Sequence, residues 1–478
     1  MLLTWQSDCR QKKKTLPLCA SAFHSFSESA PMINSRAIAM EALLAWEKSP
    51  EPLDQALEGI ISVVALNDQR DRQLVMTLVY GVIRWQGYLD AIIQKFSRHP
   101  LSGMKPLTIA ALRVGLYQLI FLDRVPESAA INETVQALKL ARQPSWLTGF
   151  VNGVLRAMAR QKATLPAPDE AAAVLSHPAW LVARWQTLFG PERARKICWT
   201  NNTLPPLVVR INSRRLSPDA YLTLLREKGL EGERGLFAQE AVQIHNFQGP
   251  VTALPGYGEG FFMVQDEAAQ LITQLLAPFV KGRYLDGCAG LGGKTLHLAQ
   301  LLPKGARVVA VEPSLKRQTL LKENLQRLGE TKIEIHGLTL QEFAGQCQEK
   351  FTGILIDAPC SGLGVIRRQP DIRRQRSLAA LPGYQGKQLE LLATAAGLVE
   401  KGGLLLYATC SIEPRENEEV IASFLNEHPE FHLSPAQEYL PEAARGFCDR
   451  TGFLKTTPEQ GLDGFFAARL RKTMNRAE

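Results

Sequence analysis

Residues 283–294 read Arg-Tyr-Leu-Asp-Gly-Cys-Ala-Gly-Leu-Gly-Gly-Lys, a short apolar run followed by a loop rich in glycine. The apolar run predicts a buried β-strand that ends at Asp286, and the sequence after Lys294 predicts a helix. The glycines at 287, 290, 292 and 293 permit a tight turn and a close approach of the backbone to a ligand. Their spacing matches neither a phosphate-binding P-loop nor a dinucleotide-binding Gly-x-Gly-x-x-Gly loop. A plain tight turn is the alternative interpretation.

Strands and helices alternate in the rest of the C-terminal sequence. Apolar runs predict strands at residues 284–286, 308–312, 333–336, 354–357 and 404–408. This alternation predicts an α/β domain over 279–474, with a parallel, doubly wound, Rossmann-like sheet and helices on both faces. In such sheets ligands bind at the carboxyl ends of the strands. We therefore expect the functional side chains at those ends.

The ends of three predicted strands carry chemically active side chains. The second strand ends at Glu312, which suits hydrogen bonding to ribose hydroxyls, although an acid favoured by the dipole of the next helix is an equal alternative. The fourth ends in Asp357-Ala-Pro-Cys360, and the last ends in Thr409-Cys410. A single buried cysteine usually acts as a small apolar side chain. Two cysteines at equivalent strand ends favour a chemical role.

The sequence before this domain divides into three parts. Residues 1–33 are basic and serine-containing, and they predict a disordered extension. Residues 34–163 predict an all-helical domain, with proline breaks between helical patterns at 37–46, 74–82, 89–96, 107–122 and 151–158. Residues 164–278 predict a small α+β module, with strands at 207–211, 241–245 and 261–264 and a helix at 221–228.

Composition limits the class of protein. The chain has 478 residues, 45% hydrophobic and 21% charged, which is typical of a soluble protein of several domains. Its eight cysteines include no Cys-x-x-Cys pair, so we expect reduced thiols, a cytoplasmic location and no metal site. The most apolar segment, 107–122, contains Arg113 and is shorter than the roughly 20 residues of a membrane helix. A net charge of +8 favours an anionic partner.

Several sequence motifs resemble those of one family of enzymes. Asp357-Ala-Pro-Cys-Ser-Gly362 and Tyr407-Ala-Thr-Cys-Ser-Ile412 resemble motifs four and six of the RNA cytosine-C5 methyltransferases. The resemblance extends to residues 264–266, 364–372 and 463–466. The helical front domain is similar to NusB-type RNA-binding domains at residues 80–84, 114–118 and 151–156. Together these features resemble the bacterial RsmB (Sun/Fmu) family of 16S ribosomal RNA methyltransferases.

The resemblance implies a cofactor, a substrate and residue roles. S-adenosylmethionine would donate the methyl group, and 16S ribosomal RNA would accept it. Cys410 would be the nucleophile, Cys360 would assist product release, and Asp357 would line the pocket of the cofactor and the cytosine. Glu312 would bind the ribose, and one loop would enclose the methionine part: Cys288, Ala289, Gly290, Leu291, Gly292, Gly293 and Lys294. We expect a monomer that does not bind a membrane.

Arginines are concentrated beside the Cys360 loop, five of them within residues 367–376. We interpret Arg367, Arg368, Arg373 and Arg374 as a clamp for the phosphates of the RNA backbone. A solvated charged loop is the alternative interpretation.

Two departures from the family pattern keep other functions open. The loop reads Cys-Ala-Gly-Leu-Gly-Gly-Lys, where the family usually has Cys-Ala-Ala-Pro-Gly-Gly-Lys. Leu338 stands where the family often has an aspartate near the adenine. One alternative is a transfer-RNA methyltransferase of the same chemistry. The other is a non-catalytic RNA-binding assembly factor, which would have lost cofactor binding.

Overall fold

The structure is a computed structural model that describes residues 34–48, 51–64, 66 and 68–474. The predicted extension at 1–33 lies outside the described residues. The chain divides into two compact units, residues 1–168 and 169–478. No helix within the described ranges is both long enough and apolar enough to cross a membrane.

The described part of the first unit is all-helical, as predicted. Its helices are Ser35–Glu47 (α1), Leu53–Val63 (α2), Gln69–Phe96 (α3), Pro106–Phe121 (α4), Glu127–Leu140 (α5) and Ser145–Arg160 (α6). Side-chain caps begin two of them, since Asn34 accepts hydrogen bonds from the backbone of α1 and Asp68 from that of α3. The predicted helical patterns at 74–82 and 89–96 belong to the single helix α3, which kinks at Trp85.

The second unit begins with a small α+β module. It contains Glu170–Leu175 (α7), Ala179–Phe189 (α8), Pro191–Asn202 (α9), Leu207–Ile211 (β1), Pro218–Glu227 (α10), Glu231–Arg234 (β2), Ala241–His245 (β3) and Phe262–Val264 (β4). The strands form an antiparallel sheet in the order β2-β3-β1-β4. The sequence did not predict β2, because this edge strand is largely exposed and has no apolar run.

The large sheet of the second unit follows the helix Glu267–Gln274 (α11). Its elements are Arg283–Asp286 (β5), Gly293–Leu301 (α12), Arg307–Val311 (β6), Leu315–Leu328 (α13), Glu334–His336 (β7), Leu340–Gln346 (α14), Phe351–Asp357 (β8), Ile372–Gln375 (α15), Leu381–Leu398 (α16), Val399–Thr409 (β9), Glu418–Glu427 (α17), Phe431–Leu433 (β10), Leu454–Lys455 (β11) and Phe466–Lys472 (β12). The strand order is β10-β12-β9-β8-β5-β6-β7, and β11 also pairs with β12.

The sheet has an antiparallel edge beside the parallel strands that the sequence predicted. Strands β5 to β9 are parallel, as expected. Strand β12 runs antiparallel to β9, and β10 and β11 run antiparallel to β12. Antiparallel neighbours need no crossover helix, so this edge is built from the short segments after α17. The result is a mixed sheet with a parallel centre.

Alternate side chains of the central strands enter different cores. In β8, Leu355 packs into the core that includes Leu271 and Leu298, whereas Ile354 and Ile356 pack into the core on the other side. All five side chains are completely buried. Burial on both faces explains why the central strands are continuous apolar runs in the sequence.

The loop after β8 lies against the segment before β12 with no room for another atom. A β-carbon added to Gly364 would lie 2.0 Å from the carbonyl oxygen of Gly464. We expect Gly364→Ala to lower the free energy of unfolding by about 2 kcal/mol or more, since both contacting groups are backbone. Gly383→Ala in α16 is the control, because no atom lies within 4 Å of its added β-carbon. Urea unfolding measures both, and equal midpoints would contradict the close contact.

Candidate active site

The carboxyl ends of the parallel strands bring the predicted residues to one edge of the sheet. Asp286 and Asp357 end the neighbouring strands β5 and β8. The chain continues from β5 to β6 on one side and from β8 to β9 on the other. This is a topological switch point, where doubly wound sheets bind ligands. Glu312 and Cys410 directly follow β6 and β9.

The glycine loop turns the chain from β5 into α12. The Asp286 carboxylate accepts hydrogen bonds from Cys288 N at 3.2 Å and Thr295 Oγ1 at 2.7 Å, and so holds both ends of the loop. Gly292 adopts a left-handed conformation with φ 86°, and a β-carbon there would lie 2.2 Å from Leu321 Cδ1. Both constraints favour glycine. The amino end of α12 therefore starts beside the strand ends.

A cavity of about 310 Å³ opens at this edge. Its lining contains these predicted residues: Cys288, Ala289, Gly290, Leu291, Gly293, Lys294 and Asp357. It also contains Arg368, which was expected to bind RNA, and residues to which the sequence gave no site role: Val264, Gln265, Asp266, Ala269, Asp286, Asp463 and Phe465. Gly292 and Glu312 are not part of the lining. The volume is near the lower end for sites that bind small molecules, about 300–1,000 Å³.

Lys294 joins the glycine loop to the end of β8. Its Nζ lies 2.7 Å from Asp357 Oδ2 and 5.0 Å from the centre of the Phe465 ring. The lysine side chain is about 10% exposed. A partly desolvated ion pair of this kind fixes the direction of the carboxylate more firmly than an exposed one. Lys294 is thus placed to orient Asp357 as well as to line the cavity.

Two further carboxyl groups of the cavity are buried. Burial raises the pKa of Asp286 to about 6, and the nearby Asp357 charge contributes. Burial and the neighbouring Asp266 carboxylate likewise raise the pKa of Asp463 to about 6. Both acids therefore change charge close to neutral pH, at the edge of the sheet where the ligand would bind.

The two predicted catalytic cysteines lie in contact. The distance between Cys360 Sγ and Cys410 Sγ is 3.3 Å, both thiols are free, and both residues are partly exposed. The hydrogen bond with Cys410, together with burial, raises the pKa of Cys360 well above its ordinary value. Cys360 therefore remains a thiol that can donate a hydrogen bond to the sulfur of Cys410.

The chain matches known proteins over nearly its whole length. Family models match at 273–471 (16S rRNA methyltransferase RsmB/F), 33–160 (NusB family) and 177–252 (the ferredoxin-like domain of RsmF/B-like methyltransferases). The Pseudomonas putida protein "Ribosomal RNA small subunit methyltransferase B" is 38% identical over 443 residues, which cover 92% of this chain and 99% of that protein. The Bacillus subtilis protein "Probable ribosomal RNA small subunit methyltransferase B" is 36% identical, with 91% and 98% covered.

The chain belongs to the RsmB family of ribosomal RNA small subunit methyltransferases. Members of this family depend on S-adenosylmethionine. The crystal structure of PH0851 has the same fold, with a TM-score of 0.75 and 26% identity, covering 92% of this chain and 100% of that chain. The expected combination of a NusB domain, a small α+β module and a Rossmann-like domain is confirmed.

Within this family fold, the predicted phosphate clamp is wrong for one of its four arginines. Arg373 is completely buried and donates hydrogen bonds to Asn202 Oδ1 at 2.7 Å and to the carbonyl oxygen of Asn201. Arg368 lies between Asp266 Oδ2, at 2.8 Å, and Asp463 Oδ2, at 2.5 Å. An internal amide and a backbone carbonyl thus take the place that RNA phosphates were expected to fill at Arg373. Contact of Arg368 with RNA remains a prediction.

The other two arginines of the predicted clamp lie nearer the surface. Arg367 is partly exposed and donates to the carbonyl oxygen of Leu204 at 2.9 Å, and Arg374 is exposed. Their contact with RNA remains a prediction. Asp266, Asp463 and Phe465 lie in the family-like motifs at 264–266 and 463–466, so the sequence contained a signal for them but no role.

The buried Asp286 predicts a measurable pH dependence of stability. The unfolded carboxyl loses its proton near pH 3.9, whereas the folded one loses it at about pH 6. Ionisation therefore costs stability as the pH rises through that window. As the pH rises from about 5 to about 7.5, the free energy of unfolding of Asp286→Asn should increase by about 1 kcal/mol relative to that of the unmodified chain.

Denaturant unfolding at each pH measures this difference. The control is Asp219→Asn, which removes a carboxyl group that is 82% exposed on α10. A constant difference for Asp286→Asn would contradict the burial of an ionisable carboxyl.

Proposed function

We propose that this chain transfers the methyl group of S-adenosylmethionine to C5 of a cytosine in 16S ribosomal RNA, with Cys410 as the nucleophile. The observation that carries the proposal is the 3.3 Å contact between the sulfurs of Cys410 and Cys360 at the ligand-binding end of the sheet. Lys294 forms an ion pair with Asp357 in the same part of the site. Asp357 lies three residues before Cys360 in the chain.

Cytosine C5 is too weak a nucleophile to attack a methyl donor directly. Addition of the Cys410 thiolate to C6 gives C5 the character of an enamine, which is covalent catalysis of a difficult step. A free thiol is only a few per cent ionised at neutral pH. A hydrogen bond from the Cys360 thiol to the Cys410 sulfur would stabilise the attacking thiolate. The cofactor supplies an electrophilic methyl group on its sulfonium.

Asp357 and Lys294 are placed to bind the polar edge of the base. The Asp357 carboxylate can accept a hydrogen bond from the pyrimidine and offset charge that develops during the addition of the thiolate. Lys294 holds this carboxylate in a fixed direction. The target cytosine must leave its stack to reach both groups. After methylation, the C5 proton leaves and the bond between C6 and the Cys410 sulfur breaks, with Cys360 as the nearest thiol to assist.

The cavity fits the methionine part of the cofactor. At Gly290 no atom lies within 4 Å of an added β-carbon, so the loop is open towards a ligand. The loop residues Cys288 to Lys294 would hold the methionine part. Glu312, which accepts a hydrogen bond from Ser314 N at 2.8 Å, would bind the ribose. Leu338 is partly buried against the core and would offer the adenine an apolar contact in place of a hydrogen bond.

The identity of the RNA is supported by the relatives and by the front domain. The relatives act, by their names, on small-subunit ribosomal RNA. The NusB match covers residues 33–160. The front domain thus resembles NusB-type RNA-binding domains. A transfer-RNA substrate is the second candidate, and it would require the same catalytic residues. A non-catalytic assembly factor would not need two cysteines in contact at the strand ends.

Cys410 and Cys360 should have different roles in methyl transfer. With labelled S-adenosylmethionine and naked 16S ribosomal RNA, Cys410→Ala should lose at least about 1,000-fold in activity, because covalent activation of C5 is lost. Cys360→Ala should accumulate a protein–RNA adduct on denaturing gels, because release from C6 is slowed. Cys347→Ala is the control for removal of a partly buried cysteine outside the site, and it should behave as the unmodified chain.

The outcomes of this experiment separate the candidate functions. Transfer to transfer RNA alone would change the substrate and leave the chemistry in place. Full activity of Cys410→Ala would contradict the proposed nucleophile. Absence of both methyl transfer and cofactor binding would favour the assembly factor.

Binding of S-adenosylmethionine should depend on Glu312. We expect Glu312→Gln to weaken binding about tenfold, since a hydrogen bond to a charged group contributes about 1.5–3 kcal/mol. Glu334→Gln on the neighbouring β7 is the control, because that side chain is 60% exposed. Titration calorimetry measures both dissociation constants. An unchanged constant for Glu312→Gln would remove Glu312 from the ribose site.

A further inference from the structure

A single buried carboxylate connects the two cysteine loops. Glu416 is completely buried in the turn between β9 and α17. Its Oε1 accepts hydrogen bonds from Ser361 N at 2.7 Å and Gln388 Nε2 at 3.2 Å. Its Oε2 accepts one from Ser411 Oγ at 2.6 Å and a shorter one from Ser361 Oγ. A carboxylate has about four sites that accept hydrogen bonds, so this one is fully used.

The donors to Glu416 directly follow the two catalytic cysteines in the chain. Ser361 comes after Cys360, and Ser411 comes after Cys410. The two hydroxyl oxygens also lie 3.2 Å from each other. Gln388 reaches the same region from α16 and donates to the carbonyl oxygen of Pro359 at 3.1 Å. Glu416 therefore fixes the chain directly after both cysteines.

The turn that carries Glu416 is itself closed by hydrogen bonds. Asn417 Nδ2 donates to the carbonyl oxygen of Ser411 at 2.9 Å, and Thr409 Oγ1 donates to Asn417 Oδ1 at 2.6 Å. Tyr407 Oη donates to the carbonyl oxygen of Glu416 at 2.6 Å. The position of the carboxylate relative to β9 is thus determined by the strand itself. A rigid support of this kind is what a precisely positioned pair of groups requires.

We propose that Glu416 is a positioning residue that holds Cys360 and Cys410 in sulfur–sulfur contact. This inference rests on the proposed function, in which Cys410 attacks the base and Cys360 donates to it. Without the carboxylate, two serine hydroxyls, one backbone N–H and one amide lose their common acceptor. The loops after β8 and β9 then separate, because each donor must find another partner. The sulfurs move apart, and the hydrogen bond between them is lost.

The charge of Glu416 acts in the same direction as its hydrogen bonds. After the hydrogen bond to Cys410 and burial, the charges of Cys410 and Glu416 contribute to raising the pKa of Cys360. A second negative charge next to Glu416 is disfavoured. Cys360 therefore stays protonated and remains a hydrogen-bond donor to Cys410.

An arsenical probe can test the contact without RNA or cofactor. Phenylarsine oxide reacts with two neighbouring thiols to form two arsenic–sulfur bonds and release one water molecule. The full chain should bind it at Cys360 and Cys410, as mapped by their protection from alkylation. In Glu416→Ala this binding should weaken at least about tenfold, because the second thiol no longer has a high effective concentration. Cys360→Ala shows the level that a single thiol gives.

Methyl transfer supplies the second readout. Glu416→Ala should lower kcat about 100-fold, the effect expected of misplacing a reacting group by about 1 Å. The KM values for RNA and S-adenosylmethionine should change less than about twofold, because Glu416 lies outside the cavity that would bind the cofactor. Glu416→Gln should restore part of both arsenical binding and kcat, since its amide keeps the shape and one acceptor oxygen.

Matched variants separate positioning from loss of folding. Glu267→Gln alters a buried carboxylate that is not part of the cysteine loops. This carboxylate accepts hydrogen bonds from the backbone of Phe237 and Ala238. This variant should lose stability but keep full arsenical binding. The double variant Ser361→Ala/Ser411→Ala removes two hydroxyl donors with little change in volume. It should show the same loss of arsenical binding and of kcat that is expected for Glu416→Ala. The test therefore remains possible if Glu416→Ala does not fold.

The outcomes distinguish this inference from the proposed function. If folded Glu416→Ala and the double-serine variant both keep arsenical binding and kcat, Glu416 does not position the cysteines and the inference is overturned. If the unmodified chain methylates RNA but does not bind the arsenical at both cysteines, the inference also fails while the function stands. If arsenical binding depends on Glu416 but Cys410→Ala still methylates RNA, the pairing stands and the proposed nucleophile fails.

Discussion

The parallel pairing of β8 with β9 is the constraint on which the site depends. Backbone hydrogen bonds pair Asp357 with Ala408, so the two strands end at the same level. Cys360 follows three residues after the first of these positions, and Cys410 follows two residues after the second. A shift of one residue in this register would turn the side chains of one strand to the opposite face. The sulfur contact and the end of the cavity at Asp357 both follow from this alignment.

Ion pairs then connect segments that are distant in sequence to this strand pair. Arg368, in the loop after β8, lies between Asp266 at the start of α11 and Asp463 before β12. Asp463 N also donates to Asp266 Oδ1 at 3.1 Å. Breaking a buried ion pair costs more than forming it contributes, because the remaining charge is left without a partner. The arrangement therefore specifies which segments meet more than it adds to stability.

The sequence predicted the central strands and the two cysteines well for a physical reason. Strands buried on both faces are continuous apolar runs, and the polar residues that follow them must lie at the ligand-binding edge. Strand β12 escaped prediction because Arg469 interrupts its pattern. That side chain is completely buried and donates to the carbonyl oxygens of Leu275 and Ala277. The carbonyl groups that accept hydrogen bonds from this buried guanidinium are nearly 200 residues away in the chain.

The same argument explains why the predicted arginine clamp was partly wrong. Sequence shows where charge is concentrated but not what it contacts, and Arg373 meets Asn202 only because the α+β module packs there. Likewise, the four donors to Glu416 come from three separate elements that no local pattern relates. Prediction from sequence is therefore most reliable for groups whose position a strand end determines. It is weakest for the buried polar groups that hold those strand ends together.

The antiparallel edge of the sheet completes the site from the side that the parallel strands leave open. Strand β12 returns beside β9 with Phe466 opposite Thr409, one residue before Cys410. This register places the residues just before β12 next to the cavity, where Phe465 contacts Lys294 and Asp463 contacts Arg368. The parallel strands alone supply the cysteines and the glycine loop, but not Asp463 and Phe465. This antiparallel edge thus helps to enclose the ion pairs and to bury Asp463, and that burial raises the pKa of the Asp463 carboxyl.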